Sequence, residues 1–370
     1  MANVISVPLA HPRTHSPIDA YTLFYRGKDR DYSQHIERET KMIVRRTLRI
    51  LIAWTSIAAP MTVFSVSNVN AKGTEVGFEQ RQMDDGTKVG IWYPASGSAQ
   101  RKRLGLYEQD VVPDAAVLGA RHGLVVISHG SGGHFAGHLD TAIALARAGF
   151  IVAALTHSGD NWQDRSKATQ LERRPQDLSA VVTYMLDVWP SHTRIDVKKI
   201  GAFGFSAGGF TVLAAVGARP DFTTIAPHCT AHPAFFDCTL MRQNPQNERP
   251  LWTDKKDARI KAIVVAAPAL GFTFTKAALA PVTLPVQLWR AANDQVLPAP
   301  LYADAVKAAL PKPPEYYDVA GAGHFDFLAP CVDPKQNPQI CSSDAAFDRA
   351  AFHTLFNQNI VRFFRRHLRK

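Results

Sequence analysis

From residue 72 onward, short apolar runs alternate with longer stretches whose apolar positions recur at helical spacing. "EVGFEQRQM" and "TKVGIWYP" lie on either side of the turn "DDG" and predict an antiparallel hairpin. "HGLVVISHG" is a continuous apolar run, the pattern of a strand buried on both faces. "HLDTAIALARAG" follows with helical period and a stop at Gly149. The strand "FIVAALTH", the amphipathic helix "RRPQDLSAVVTYMLDVW", the strand "KKIGAFGFS" and the helix "AGGFTVLAAVGA" continue the rhythm. Residues 222–256 interrupt it. They are polar and rich in Pro and Asn, and predict a small lid-like insertion over the sheet. "RIKAIVVAAPA", "LPVQLWRAAND", the helix "APLYADAVKAAL", the strand "PEYYDVAGAGH" and the helix "FDRAAFHTLFNQNIVRFFRRHL" complete the chain. Strands alternating with helices predict an α/β fold, with a mostly parallel central sheet and helices on both faces.

Upstream the pattern changes. "MIVRRTLRILIAWTSIAAPMTVFSVSNVNAKG" begins at Met42, and Arg45, Arg46 and Arg49 make its start positive. "ILIAWTSIAA" is apolar over the length of a signal-peptide core, and Val69, Asn70 and Ala71 stand where a signal peptidase reads. Residues 42–71 therefore read as a signal peptide starting at Met42. Residues 1–41, without clear periodicity, read as an over-called N-terminal extension, and residues 72–370 as an exported domain, periplasmic or secreted. The alternative is a signal anchor with residues 1–41 as a cytoplasmic tail. Pro60 breaks the apolar run, which is short for a span, so no stable membrane span is expected in the mature chain.

Composition adds little to this. The chain of 370 residues is 46% hydrophobic and 20% charged, enough for a full core. Its formal charge is +10, of which residues 1–71 carry nine basic and five acidic side chains, leaving +6 on the remainder. Part of that excess is the tail "VRFFRRHLRK", where basic groups complement a helix C-terminus. No basic–aromatic stripe or nucleic-acid motif is present, so no nucleic-acid partner is expected. The four cysteines, Cys229, Cys238, Cys331 and Cys341, all fall in the exported part and predict two disulfides. They pair most simply as Cys229–Cys238 and Cys331–Cys341. The other two connectivities, a zinc site and free buried thiols remain alternatives.

The candidate chemistry centres on "GAFGFSAGGF" (201–210), which sets Ser206 between Gly204 and Gly208, after a predicted strand and before a predicted helix. That is the context of a G-x-S-x-G nucleophile elbow, where small neighbours let strand and helix approach. A serine hydroxyl needs a base to take its proton. Asp294 follows the strand "LPVQLWRAAN" and His324 follows the last strand, in the chain order Ser, acid, His. Asp160, in the loop "THSGDNWQDRS", is an alternative acid. The backbone N–H groups of Ala207 and of Ser131, in "SHGSGG", are the candidate oxyanion donors, with His129 expected to order that loop. A phosphate-binding loop would need a Walker lysine and spacing that "HGSGG" lacks. Trp162 and Phe325 are candidate pocket walls, with Phe327 beside them; His157 and Asn161, in the same loop as Trp162, either line the pocket with it or pack loop against loop. Asp326 is expected to be peripheral. The pair His228 and His232 is read as lid structure, so no metal and no cofactor are expected.

At "VVISHGSGG", "ARAGFIVAALTHSGDN", "RRPQDLSAVV", "GAFGFSAGGFTVLAAVGARPDF", "AAPALGF" and "AGAGHFDFLAPC" the chain resembles the exported bacterial "predicted dienelactone hydrolase" proteins. Those are related to the plasma-type platelet-activating-factor acetylhydrolase branch of the α/β-hydrolase fold. The resemblance spans about residues 74–370 and implies that fold, with Ser206, Asp294 and His324 as the triad and Ser131 and Ala207 as oxyanion donors. True dienelactone hydrolases use a cysteine nucleophile, and this chain has Ser206. The expectation is therefore a serine esterase for a small-molecule ester, with short acyl groups implied by the acetylhydrolase kinship. A peptidase or amidase with the same triad, a lipase-like phospholipid acetylhydrolase, and a non-catalytic binding module are the alternatives.

Overall fold

The computed structural model describes residues 74–245, 252 and 256–368, all within one compact unit, Ala71–Lys370. The signal-peptide and extension readings lie outside the described residues. Among the described residues ten strands form one sheet: β1 (Glu75–Gln82), β2 (Lys88–Ala95), β3 (Gln100–Leu104), β4 (Tyr107–Pro113), β5 (His122–Ser128), β6 (Ile151–Thr156), β7 (Ile195–Phe205), β8 (Ile260–Ala266), β9 (Val286–Ala291) and β10 (Glu315–Val319). Their order across the sheet is β10-β9-β8-β7-β5-β6-β2-β1-β4-β3. From β6 through β10 every neighbouring pair is parallel. The β1–β2 hairpin joins that block through an antiparallel β2–β6 pair. The sheet is thus mixed at one end, as the predicted hairpin requires.

The helices are α1 (Leu139–Arg147), α2 (Arg174–Asp187), α3 (Ala207–Ala215), α4 (Ile225–Ala231), α5 (Phe236–Gln243), α6 (Lys276–Leu279), α7 (Ala303–Ala309), α8 (Pro338–Cys341) and α9 (Arg349–His367). Two apolar layers sandwich the sheet, because successive strand residues point to opposite faces. Leu124 and Val126 of β5 join Leu178, Val182, Phe210 and Leu213 on one side. Val125 and Ile127 join Leu145, Phe356, Ile360 and Phe364 on the other. Burial on both faces is why β5 through β8 read as unbroken apolar runs.

Two elements depart from the sequence reading. The β3–β4 hairpin was not expected, since "QRKRL" is charged, mostly exposed and lacks the alternation of a half-buried strand. The described part of the insertion, residues 222–245, is more regular than its composition implies. It holds α4 and α5, stapled by Cys229–Cys238, with His228 stacked on Phe272 at 3.6 Å. Cys331 pairs with Cys341, so both disulfides follow the simplest connectivity. Two disulfides fit a chain that folds in an oxidising compartment. Among the described residues no helix is long and apolar enough to cross a membrane.

Candidate active site

The turn from β7 into α3 is tight because two glycines allow it. A Cβ on Gly204 would sit 2.0 Å from the Gly208 carbonyl oxygen, and one on Gly208 would sit 1.9 Å from the Ser128 carbonyl oxygen. No side chain fits at either place, so strand, helix and the end of β5 meet backbone to backbone. Between them Ser206 takes φ 55, ψ −118, a conformation that costs roughly 1–3 kcal/mol and persists only where surroundings impose it. Its N–H donates to Ala266 O and its carbonyl accepts from Ala269 N–H, which hold it there.

Three loops at the carboxyl ends of β7, β9 and β10 bring the sequence-predicted residues together. Ser206 Oγ lies 3.1 Å from His324 Nε2, and His324 Nδ1 lies 2.7 Å from Asp294 Oδ2. All three side chains are nearly buried: Ser206 is 6% and His324 4% exposed. The other carboxylate oxygen, Asp294 Oδ1, accepts from Val296 N–H at 2.9 Å and Leu297 N–H at 2.7 Å. The acid is therefore locked in rotation. With a carboxylate as its partner, Nδ1 carries the imidazole proton and Nε2 is left to accept from the hydroxyl.

The imidazole loop has its own support, and here the expectation for Asp326 fails. Asp326 is 3% exposed, not peripheral. Its carboxylate accepts from Gly323 N–H, Ser343 Oγ and Arg349 Nε. Arg349 in turn donates to the carbonyls of Phe325, Ile340 and Cys341. Phe327 is also placed otherwise than expected. It is fully buried against Phe205, Phe352 and Phe356, so it is core and not pocket wall. Phe325 does line a cleft of about 420 Å³ beside His324, together with Asn293, Gln295 and Gln339. Trp162 stands 65% exposed on the loop after β6, outside that cleft.

The loop 129–133 passes directly over the elbow: a Cβ on Gly130 would lie 3.2 Å from Ser206 Cβ. Among the described residues, no hydrogen-bond acceptor takes up the N–H of Ser131 or of Ala207. Ala207 opens α3, where N–H groups are free and the helix dipole is positive. His129 orders the loop, as expected. It donates from Nδ1 to Gly130 O at 2.6 Å and accepts at Nε2 from His157 N–H at 3.0 Å. Accepting at Nε2 requires the neutral ring, and burial pushes its pKa in the same direction, well below the ordinary histidine value.

Asp160, the alternative acid, does not meet His324. One of its oxygens takes Ser131 Oγ–H at 2.8 Å and Gly132 N–H at 3.0 Å, and the other takes Arg174 at 2.6 Å. A second Ser–His–Asp series lies beneath: Ser128 Oγ to His157 Nε2 at 2.9 Å, and His157 Nδ1 to Asp177 Oδ2 at 2.9 Å. Ser128 is fully buried at the end of β5 and has no elbow, so no substrate carbonyl can reach it. His157, at 1% exposure, is thus a packed structural group and not a pocket wall. Among the described residues the one triple of metal-ligating atoms lying close together is His228, Asp237 and Cys238, within 4.8 Å. The sulfur of Cys238 is already bonded to Cys229.

The sequence profile of the prolyl oligopeptidase family, an α/β-hydrolase family, matches residues 137–253, about the central third of the chain. No curated protein matches the sequence. Among solved structures, a ferulic acid esterase from Streptomyces cinnamoneus superposes with a TM-score of 0.54 at 21% identity, over 86% of this chain and 94% of that one. The sheet order, the strand–serine–helix turn and this likeness together show that the chain adopts the α/β-hydrolase fold.

Proposed function

We propose that the protein is a serine carboxylic-ester hydrolase. Ser206 Oγ attacks the ester carbonyl while His324 Nε2 takes its proton. Asp294 holds the imidazole in the reactive tautomer and stabilises the imidazolium. The tetrahedral oxyanion sits on the N–H groups of Ser131 and Ala207, each worth roughly 3 kcal/mol at the transition state. His324 then returns the proton to the leaving alcohol. Water, activated by the same base, releases the acid from the acyl-serine. The observation that carries this reading is the unbroken hydrogen-bond chain from Asp294 through His324 to a strained serine.

Small, short-acyl esters are the substrate class favoured by the resemblance to exported dienelactone-hydrolase-like and acetylhydrolase proteins. The ferulic acid esterase likeness points to an ester as well. The profile match to the prolyl oligopeptidase family favours a second reading, a peptidase using the same residues. Ser206→Ala is expected to lower p-nitrophenyl acetate turnover on the order of 10⁵-fold or more with the fold intact. Turnover at the parental level in that variant refutes the proposal. Faster cleavage of p-nitroanilide peptides than of the ester by the unaltered protein would choose the second reading.

A further inference from the structure

Arg174 opens α2, ahead of Pro175. A cation in the first turn of a helix meets the positive end of the dipole, so something else must hold it there. Its guanidinium is 3% exposed and reaches in three directions. Nη1 donates to Asp160 Oδ2 at 2.6 Å. Nη2 donates to the His129 carbonyl, with Ser128 Oγ at 3.4 Å. Nε donates to Thr211 Oγ1 at 3.0 Å.

Each direction ends near an oxyanion donor. Asp160 passes the contact on to Ser131 Oγ and Gly132 N–H, which bracket the Ser131 N–H. Thr211 passes it on to the Ala207 carbonyl, to which its own hydroxyl donates at 2.7 Å. The His129 carbonyl lies two residues before Ser131 in the same loop. One planar fork therefore ties the loop after β5 to the first turn of α3. A lysine ammonium cannot span these three partners with fixed geometry. A buried ion pair adds little net stability, because desolvation offsets the attraction, and its best-attested use is to set register.

We propose that Arg174 is a positioning residue that sets the separation of the Ser131 and Ala207 N–H groups, through Asp160 on one side and Thr211 on the other. The proposal rests on the hydrolytic reading above. It makes the oxyanion site a product of the α2 N-terminus, an element outside the hydrogen-bond chain of Ser206, His324 and Asp294.

The test compares Asp160→Asn, Thr211→Val, Arg174→Lys and Arg174→Gln with the parent. Two quantities are read: kcat and KM for p-nitrophenyl acetate, and the inhibition constant of butylboronic acid. On binding, Ser206 Oγ forms a B–O bond and its proton passes to His324. Boron becomes a tetrahedral anion with no group lost, and one of its hydroxyls occupies the oxyanion site. Thr211→Val and Asp160→Asn are each expected to lower kcat about 10- to 100-fold, as a misplaced donor does. KM should stay within about twofold, and the boronate should weaken by the same factor as kcat falls. Arg174→Lys should recover little of what Arg174→Gln loses. Thermal unfolding, recorded alongside, identifies variants that are folded at the assay temperature. If the Arg174 variants do not fold, Thr211→Val and Asp160→Asn decide the matter. Parental kcat and boronate affinity in these two folded variants overturn the proposal. So does a fall in kcat without matching loss of boronate affinity. If Ser206→Ala keeps its activity, the hydrolytic reading itself fails. If Ser206→Ala is dead while the positioning variants are fully active, only the present inference fails.

Discussion

Replacing Asp294 by Asn keeps the side chain's size and removes its charge, and the structure dictates how the amide will sit. Asp294 Oδ1 accepts two backbone N–H groups, from Val296 and Leu297 at 2.9 and 2.7 Å. An amide nitrogen cannot accept, so the oxygen of the substituted side chain must stay on that side. Its NH2 then faces His324 Nδ1, where the carboxylate oxygen lies at 2.7 Å. It will donate to Nδ1, which moves the imidazole proton to Nε2. Nε2 then points an N–H at Ser206 Oγ and cannot act as the base. The wrong tautomer costs about 10⁴ in kcat, or about 5 kcal/mol of barrier. Flipping the amide would instead set its NH2 against two backbone donors in a pocket where the side chain is 5% exposed. That leaves buried groups unsatisfied at about 1–3 kcal/mol each. Stopped-flow and steady-state hydrolysis of p-nitrophenyl acetate at neutral pH reads the effect, with thermal unfolding as control. A folded Asp294→Asn protein that keeps more than a tenth of parental kcat refutes the tautomer argument and, with it, the role given to Asp294.

Acid should destabilise the fold before the carboxylates alone would. Burial lowers the pKa of His138 to about 4 and drives His129 and His157 well below 6.5. Groups depressed in the folded state stabilise it above pH 6.5 and lose that contribution as pH falls. Asp177, raised by burial to about 6, and Asp237, also raised, work the other way in the same window. His134, also lowered to about 4 by burial, adds to the first set, and His353, raised, to the second; the net is a loss on the order of 1 kcal/mol per pH unit between pH 6 and 4.5, and urea midpoints that rise or stay level over that range contradict it. Gly204→Ala drives a Cβ to within 2.0 Å of a backbone oxygen and should cost about 3 kcal/mol or more. Gly149→Ala, at φ +95 with no neighbour within 4 Å, should cost about 1–2 kcal/mol; equal urea midpoints for the two variants would refute the steric account. Cys331→Ser with Cys341→Ser opens a loop of 10 residues and should lower stability by about 2–3 kcal/mol, read from the same denaturation curves.

The parts of the site that were legible in the sequence share one property: local pattern determines them. Gly204 and Gly208 mark the elbow because only glycine tolerates that approach. Asp294 and His324 were found by their places after apolar runs. What stayed hidden depends on contacts between distant segments. Ser128, His157 and Asp177 are separated by 29 and 20 residues and touch only because β5, β6 and α2 pack together. The hairpin of β3 and β4 is held by backbone pairing under charged side chains, which apolar alternation cannot register. Phe327 differs from Phe325 only in direction, and a two-residue offset in a 3-10 turn gives no periodicity to read. Arg174 did leave one signal: a cation at a helix start, where the dipole disfavours it, marks a charge with a fixed buried partner.

Arg349 lies downstream of every residue proposed for the triad and the oxyanion loop, and it ties Asp326 and the Phe325 carbonyl, in the loop that carries His324, to the carbonyls of Ile340 and Cys341. During synthesis the nucleophile, the acid and the base all emerge before it. A nascent polypeptide that stops short of α9 holds every reactive group and none of the clamp. On the hydrolytic reading proposed above, the loop that carries His324 is therefore the last part of the site to be secured as the chain emerges.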